Sequence, residues 1–162
     1  MPDLYARRPT GGTLVPATAR VWRAFTSRPE QVFDGFLDPD VIRAWFGPGL
    51  GEVTRVDVHA HVDGRFSIEQ QRGDTVVNTS GTYRTIDRPH RLVFSWTTPT
   101  AQLQETLVTI DIEPRVDGGS AVMLTHHLDP SWAARTDEIE AGWMHMLDAM
   151  SEVLEAPARR GP

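Results

Sequence analysis

The sequence contains no cysteine and no lysine, and each absence excludes a class of chemistry. Without cysteine there can be no disulfide, no thiolate nucleophile and no cysteine metal site. All 16 basic residues are arginine, so Schiff-base catalysis through a lysine amine is excluded as well. Genomic base composition is the simplest explanation for the missing lysine. We therefore expect neither cysteine-dependent nor lysine-dependent covalent chemistry.

Long hydrophobic runs and a basic charge balance are also missing. No apolar run approaches the roughly 20 residues that a membrane span needs, and residues 1–16 lack the apolar core of a signal peptide. The formal net charge of −6 argues against nucleic acid, whose phosphates attract basic surfaces. We expect a cytoplasmic protein with neither a membrane nor a nucleic acid as its partner.

The length and composition of the sequence indicate one globular domain. The chain has 162 residues, of which 40% are hydrophobic, enough to bury a substantial core. Proline and glycine crowd residues 1–16, which predicts a flexible N-terminal arm. We assign residues 17–156 to a single domain and residues 157–162 to a disordered tail.

The clearest single element is a long helix at Thr136–Glu155. Its apolar residues recur at steps of three, four and seven, which places them on one stripe of an amphipathic helix. Acidic residues fill its first turn, where they favour the helix dipole. The stripe consists of Ile139, Trp143, Met146, Leu147, Met150, Val153 and Leu154. Such a stripe needs an apolar partner upstream.

Upstream of this helix the sequence alternates in the manner of strands. A first strand is predicted at 18–25, with no clear inward face. Six more are predicted at 53–62, 65–71, 76–86, 91–98, 103–116 and 120–128, most of them joined by turn signals such as Asp63-Gly64 and Asp117-Gly118-Gly119. Gly81 predicts a bulge or bend. Hairpins of this kind predict an antiparallel sheet.

Two short helices are predicted between the first strand and the second. Ser27 and Glu30 have capping-box spacing, and Pro29 suits a first turn. Asp38 and Pro39 repeat the arrangement of an N-cap followed by proline. The second helix ends at the Gly/Pro segment that follows Trp45. The predicted order is therefore β-α-α-β6-α.

The order and spacing of several segments resemble a known superfamily. The segments are RPEQVFDGFLDPDVIRAWFGP (28–48), VDGRF (62–66), GTYRTIDRPHRLVFSW (81–96), GGSAVMLTHHL (118–128) and AGWMHML (141–147). Together they resemble the SRPBCC (START-like, helix-grip) superfamily, and within it the AHSA-like branch named after activators of the heat-shock chaperone ATPase. The resemblance implies an α+β fold in which a curved antiparallel sheet of six to seven strands surrounds the C-terminal helix.

The resemblance also implies a cavity between sheet and helix that suits an apolar or amphipathic molecule. The large apolar groups that this fold would gather there are Trp45, Phe46, Phe66, Phe94, Trp96, Ile139, Trp143 and Met146, with His126 as the polar member. Gly142, next to Trp143, would either allow a close approach or leave space. Ordinary core packing is the alternative interpretation for these residues, particularly for Phe66 and Phe94.

Histidines at three places in the sequence are candidates for metal binding or acid–base chemistry. Asp57, His59 and His61 alternate on a predicted strand, but on its polar side, so we expect no metal site. His126 shares a face with apolar neighbours and would be the leading general base of an enzyme. A buried, hydrogen-bonded histidine is the alternative. His145 and Tyr83 are weaker candidates for a base, and Arg84 and Glu69 for polar anchors.

These patterns lead to three functional hypotheses. The first is a protein that binds a hydrophobic or aromatic small molecule, lipid or polyketide-like, without catalysis or cofactor. The second is a cyclase or dehydratase-type enzyme that uses the cavity histidine, and the third is a chaperone-regulating or protein-interaction module. A homodimer is left open, with residues 1–16 as the segment where we expect a contact. We favour the first hypothesis, because no catalytic motif accompanies the aromatic residues.

Overall fold

The computed structural model describes residues 17–98 and 105–155, so the predicted arm at 1–16 and tail at 157–162 lie outside them. The strands are β1 (Ala17–Phe25), β2 (Glu52–Val58), β3 (Arg65–Arg72), β4 (Thr75–Asp87), β5 (Arg91–Trp96), β6 (Thr106–Pro114) and β7 (Ser120–Leu128). The helices are α1 (Pro29–Gly35), α2 (Pro39–Trp45), a short 3-10 helix η1 (Pro130–Arg135) and α3 (Thr136–Leu154). None of these helices is both long and apolar enough to cross a membrane.

The strands form one antiparallel sheet in the order β1-β7-β6-β5-β4-β3-β2. Consecutive strands from β2 to β7 are neighbours, whereas β1 returns to the far edge and pairs with β7. The sheet curves around α3, which gives the α+β helix-grip architecture. The predicted order β-α-α-β6-α is therefore confirmed, and η1 is an additional element between β7 and α3.

The core lies between the concave face of the sheet and α3. The alternation of each strand sends one set of residues inward, as in β6, where Val108 and Ile110 are fully buried. From α3, Trp143, Leu147 and Met150 meet them. The helix stripe therefore finds the apolar partner that its spacing predicts.

Strand β1 resolves the ambiguity of its sequence through its contacts with α3. Val21 is buried while Trp22 is half exposed, so the face of Val21 points inward. On that same face Arg23 reaches the edge of the core and pairs with Asp148 of α3 at 2.7 Å. Two backbone N–H groups, those of Arg20 and Thr26, donate to the carboxylates of Glu140 and Glu155 at 2.9 Å each.

The other edge of the sheet differs from its prediction. The predicted strand at 53–62 is too long, because β2 ends at Val58. Residues 59–64 turn back on themselves, with the His61 N–H donating to the His59 carbonyl and the Gly64 N–H to that of His61. Asp63 there adopts a left-handed backbone (φ 71°). Consequently Asp57, His59 and His61 do not share one strand face, and the described residues contain no cluster that could hold a metal.

The predicted cap of the first helix is wrong, whereas that of the second is confirmed. Helix α1 begins at Pro29 with Arg28 at its N-cap and no side-chain cap. Ser27 instead offers its carbonyl to the hydroxyl of Ser120, 2.6 Å away across the domain. In α2 the Asp38 carboxylate accepts the Asp40 N–H at 2.9 Å.

Gly81 is required by a close approach of two strands rather than by a bulge. The register of β4 against β5 shifts between Tyr83 and Thr85, not at Gly81. At Gly81 a Cβ atom would overlap the carbonyl oxygen of Ser95 and lie 2.6 Å from the ring of Phe66. The absent side chain therefore lets the Phe66 ring lie across the sheet and lets the strands come together.

Candidate functional site

A cavity of about 590 Å³ lies between the concave face of the sheet, the loop after α2 and helix α3. The sheet contributes side chains from β3 to β7, and the loop contributes residues 46–48 and 50. Most of the large side chains in its wall are apolar. These are Phe46, Leu50, Trp96, Leu128, Trp132, Ile139 and Met146.

Five of the nine residues predicted to bind a ligand line this cavity. They are Phe46, Trp96, His126, Ile139 and Met146. Trp143 does not line it, but its ring packs against Trp96 with centroids 5.0 Å apart and holds that wall in place. Their part in ligand binding stays a prediction.

The other three predicted residues, Trp45, Phe66 and Phe94, belong to a neighbouring aromatic cluster. They surround a void of only about 20 Å³, too small for an organic ligand. Phe66 and Phe94 meet edge to face at 5.5 Å, an arrangement typical of a packed core. Trp96 borders both spaces and separates them.

Gly142 enlarges the cavity at the surface of α3. A Cβ atom placed on this residue would meet no other atom within 4 Å. The position therefore has room for a side chain and leaves that room to the cavity. Of the two roles predicted for Gly142, the structure shows free space and not a close approach. A glycine inside a helix costs roughly 1 kcal/mol relative to alanine.

His126 holds the polar centre of the wall through a chain of hydrogen bonds. The Trp143 indole N–H donates to its Nδ1 at 3.0 Å, which fixes Nδ1 as an acceptor. The proton of the neutral ring is then on Nε2, which lies 2.7 Å from the Thr106 hydroxyl. The Thr106 hydroxyl in turn donates a hydrogen bond to the Trp96 carbonyl at 3.0 Å. Every donor in this chain has an acceptor.

These hydrogen bonds and the burial of the ring make His126 a poor general base. Burial, aided by the nearby His127, lowers the pKa of His126 from 6.5 to about 4. Protonation of Nδ1 would also set its new N–H against the indole N–H of Trp143. Both ring nitrogens are occupied within the protein, so neither is available to take a proton from a bound molecule.

A pH-dependent loss of stability is expected from this ring. The unfolded chain binds a proton on His126 below pH 6.5, whereas the folded chain resists it down to about pH 4. Stability is therefore complete above pH 6.5 and falls between these limits, by up to about 3 kcal/mol. Urea unfolding from pH 7 to pH 4 measures it. His126→Gln should flatten that slope and the exposed-site variant His59→Gln should not; an unchanged slope in His126→Gln would contradict the assignment.

Gln70 and Arg72 were not predicted as site residues. Gln70 is fully buried, and its amide donates to the carbonyls of Gly47 and Gly51 at 2.9 and 3.0 Å. Its amide oxygen accepts from Arg72 Nε at 2.7 Å. Gln70 thereby ties the loop after α2 to β3 and places Arg72 in the cavity wall. The alternation of Phe66, Ile68 and Gln70 already points inward, and one further residue of strand would have included Arg72.

The remaining candidates lie elsewhere. Arg84 is exposed and pairs with Glu105 at 3.3 Å, and neither it nor Glu69 lines the cavity. Tyr83 is buried in the aromatic cluster, and this burial raises the pKa of its phenol. His145 lines the cavity from an exposed position on α3.

The antiparallel sheet, the closing helix and the cavity between them define a helix-grip protein of the SRPBCC type. The sequence model of the family described as Activator of Hsp90 ATPase homolog 1-like protein matches residues 26–155, and the chain belongs to this family. No curated protein gives a significant match to the sequence.

Solved structures with the same fold come from several bacteria. An AHSA1-like protein from Aeromonas hydrophila is 23% identical, with a TM-score of 0.70 over 87% of this chain and 94% of that one. Protein CV1439 from Chromobacterium violaceum is 21% identical, with a TM-score of 0.75 over 85% and 96%. A protein from Arthrobacter aurescens is 19% identical, with a TM-score of 0.76 over 91% of both chains. At these identities the likeness concerns the fold alone.

Proposed function

We propose that the protein binds a small hydrophobic or aromatic molecule in the cavity between the sheet and α3. The observation that carries the proposal is the cavity itself, about 590 Å³, whose apolar wall includes Phe46, Trp96, Ile139 and Met146. Ligand sites in proteins have volumes of roughly 300–1,000 Å³ and few polar groups. Large, rigid aromatic side chains suit a planar or aliphatic guest.

Binding is favoured over catalysis by the state of His126. A general base needs a free lone pair facing the substrate, and both nitrogens of this ring are engaged with Trp143 and Thr106. The neutral imidazole ring instead forms an uncharged part of the cavity wall. At this part of the wall a bound molecule would be held by apolar contact, and the site would release it chemically unchanged.

One isoleucine and one methionine side chain on α3 give this wall some freedom to adapt. Ile139 and Met146 are only partly buried, although both line the cavity. Methionine has an unbranched, polarisable side chain that repacks easily around different shapes. We therefore expect a preference for a class of apolar molecules, rather than for a single one.

Filling the cavity from Gly142 tests the proposal. Gly142→Phe should abolish binding of the neutral fluorescent probe N-phenyl-1-naphthylamine, since its Cβ lies in open space and its ring would extend into the cavity that Gly142 lines. Fluorescence titration would measure the dissociation constant. Gly142→Ala, at the same position, is the matched control and should bind the probe within about twofold of the wild type because its methyl group is small. Equal binding by Gly142→Phe and the wild type would contradict the proposal.

A further inference from the structure

We infer that the ligand of this cavity is an amphipathic anion, an apolar body with one carboxylate or similar acidic group, held by the guanidinium of Arg72. This inference rests on the proposed function and names the chemical class of the guest. It follows from the charges on the cavity wall, which sequence patterning did not assign.

Arg72 presents unused donors to the cavity. Its Nε donates to Gln70 at 2.7 Å, whereas its two terminal NH₂ groups have no hydrogen-bond partner within the described part of the chain. Nor does any carboxylate among residues 17–98 and 105–155 lie within ion-pair distance of it. The guanidinium is half-buried, and this burial lowers its pKa without removing its charge at neutral pH. A half-buried cation with open donors favours an anionic partner.

The position of this cation is fixed rather than mobile. Gln70, which is fully buried, holds Arg72 Nε on one side and the carbonyls of Gly47 and Gly51 on the other. Gly47 has a left-handed backbone (φ 51°), and a Cβ there would lie 2.6 Å from the Gln70 amide oxygen. The loop, the amide and the guanidinium therefore form one connected unit, and little conformational freedom is lost when an anion binds.

Glu138 is an acidic residue of the cavity wall, and Arg135 rather than Arg72 pairs with it. Glu138 also lines the cavity, but its carboxylate accepts from Arg135 at 3.3 and 3.1 Å. His126 is neutral, with both nitrogens occupied. Among the described wall residues, Arg72 thus supplies a positive charge without a counter-ion, in the same cavity as the apolar side chains that would contact the body of the ligand.

A matched pair of probes tests the inference. N-phenyl-1-naphthylamine is neutral, and 8-anilinonaphthalene-1-sulfonate is the same skeleton with one sulfonate, which stands in for the carboxylate. The wild type should bind the sulfonate at least about tenfold more tightly than Arg72→Gln does, since a charge-assisted hydrogen bond contributes that much. The neutral probe should bind both proteins within about twofold. Arg65→Gln, an exposed arginine at the start of the same strand, should leave both affinities unchanged.

Three results would overturn the inference, and they are distinguishable. If Arg72→Gln binds both probes as the wild type does, the anion site is wrong while the cavity proposal stands. If Arg72→Gln loses both probes equally, Arg72 shapes the cavity and does not select an anion. If the wild type binds neither probe, the proposed function fails together with the inference. Gly142→Phe is expected to lose binding of the sulfonate probe as well. If this variant still binds the sulfonate probe, the probe binds outside the cavity.

Discussion

Replacing Trp143 by alanine is expected to lower the free energy of unfolding by about 4 kcal/mol, within the usual range for a buried tryptophan. Only 3% of Trp143 is exposed, and its indole closes the hydrogen-bond chain by donating to His126. The substitution removes the ring that packs on Trp96 and leaves the buried Nδ1 acceptor without a partner. Both losses act on the boundary between α3 and the sheet.

Chemical unfolding at pH 7 measures this effect, and Trp143→Phe separates its two parts. Phenylalanine keeps an aromatic ring but cannot donate to His126, so it should lose a smaller amount, about 1–3 kcal/mol. It should also raise the pKa of His126, because the indole hydrogen bond favours the neutral ring. A loss below about 1 kcal/mol in Trp143→Ala would show that this side chain does not support the wall.

Replacing Gly81 by alanine is expected to destabilise the protein by more than about 3 kcal/mol, at the upper end of overpacking effects. The added methyl group would overlap the carbonyl oxygen of Ser95, which belongs to the backbone of β5 and cannot rotate away. The ring of Phe66, at 2.6 Å, blocks the other direction. The strands would have to separate at the point where the aromatic cluster packs.

Gly142→Ala is the natural counterpart, because the same change of residue occurs in open space. Its methyl group meets nothing within 4 Å, and alanine is the better helix former, so stability should rise by about 0.5–1 kcal/mol. Thermal unfolding of the two variants side by side gives opposite shifts of Tm. Shifts of the same sign would mean that glycine content, and not the local space, decides the outcome.

The fold could be predicted from the sequence because its signals are local. Alternation identifies the inward faces of β3, β6 and β7, and turn residues place the hairpins between them. Helix α3 is predicted to within one residue, since its stripe and acidic first turn lie within the helix itself. The wrong helix cap arises where a distant contact decides: the carbonyl of Ser27 accepts from the Ser120 hydroxyl, and the Ser27 hydroxyl does not cap α1.

The candidate site was less predictable for the same reason. Whether an aromatic residue lines the cavity or belongs to the cluster beside it depends on how strands and helices meet. The pattern therefore could not separate Trp45, in the cluster, from Phe46, in the cavity wall. The roles of Gln70 and Arg72 depend on carbonyls at Gly47 and Gly51, some twenty positions away. The one indication in the sequence was that Gln70, a polar residue, occupies a position on the inward face of its strand.

The hydrogen bonds at the two margins of the sheet have a consequence for self-association. Open strand margins normally offer a template on which a second chain can add its own strand. Here the carboxylates of Glu140 in α3 and of Glu155 just after it accept from two N–H groups at or just beyond β1. At the other edge Arg43 donates to the Val53 carbonyl in β2 at 2.8 Å. Side chains of the same molecule thus take the places that a foreign backbone would use. We expect that any dimer of this chain joins through another surface and leaves the sheet at seven strands.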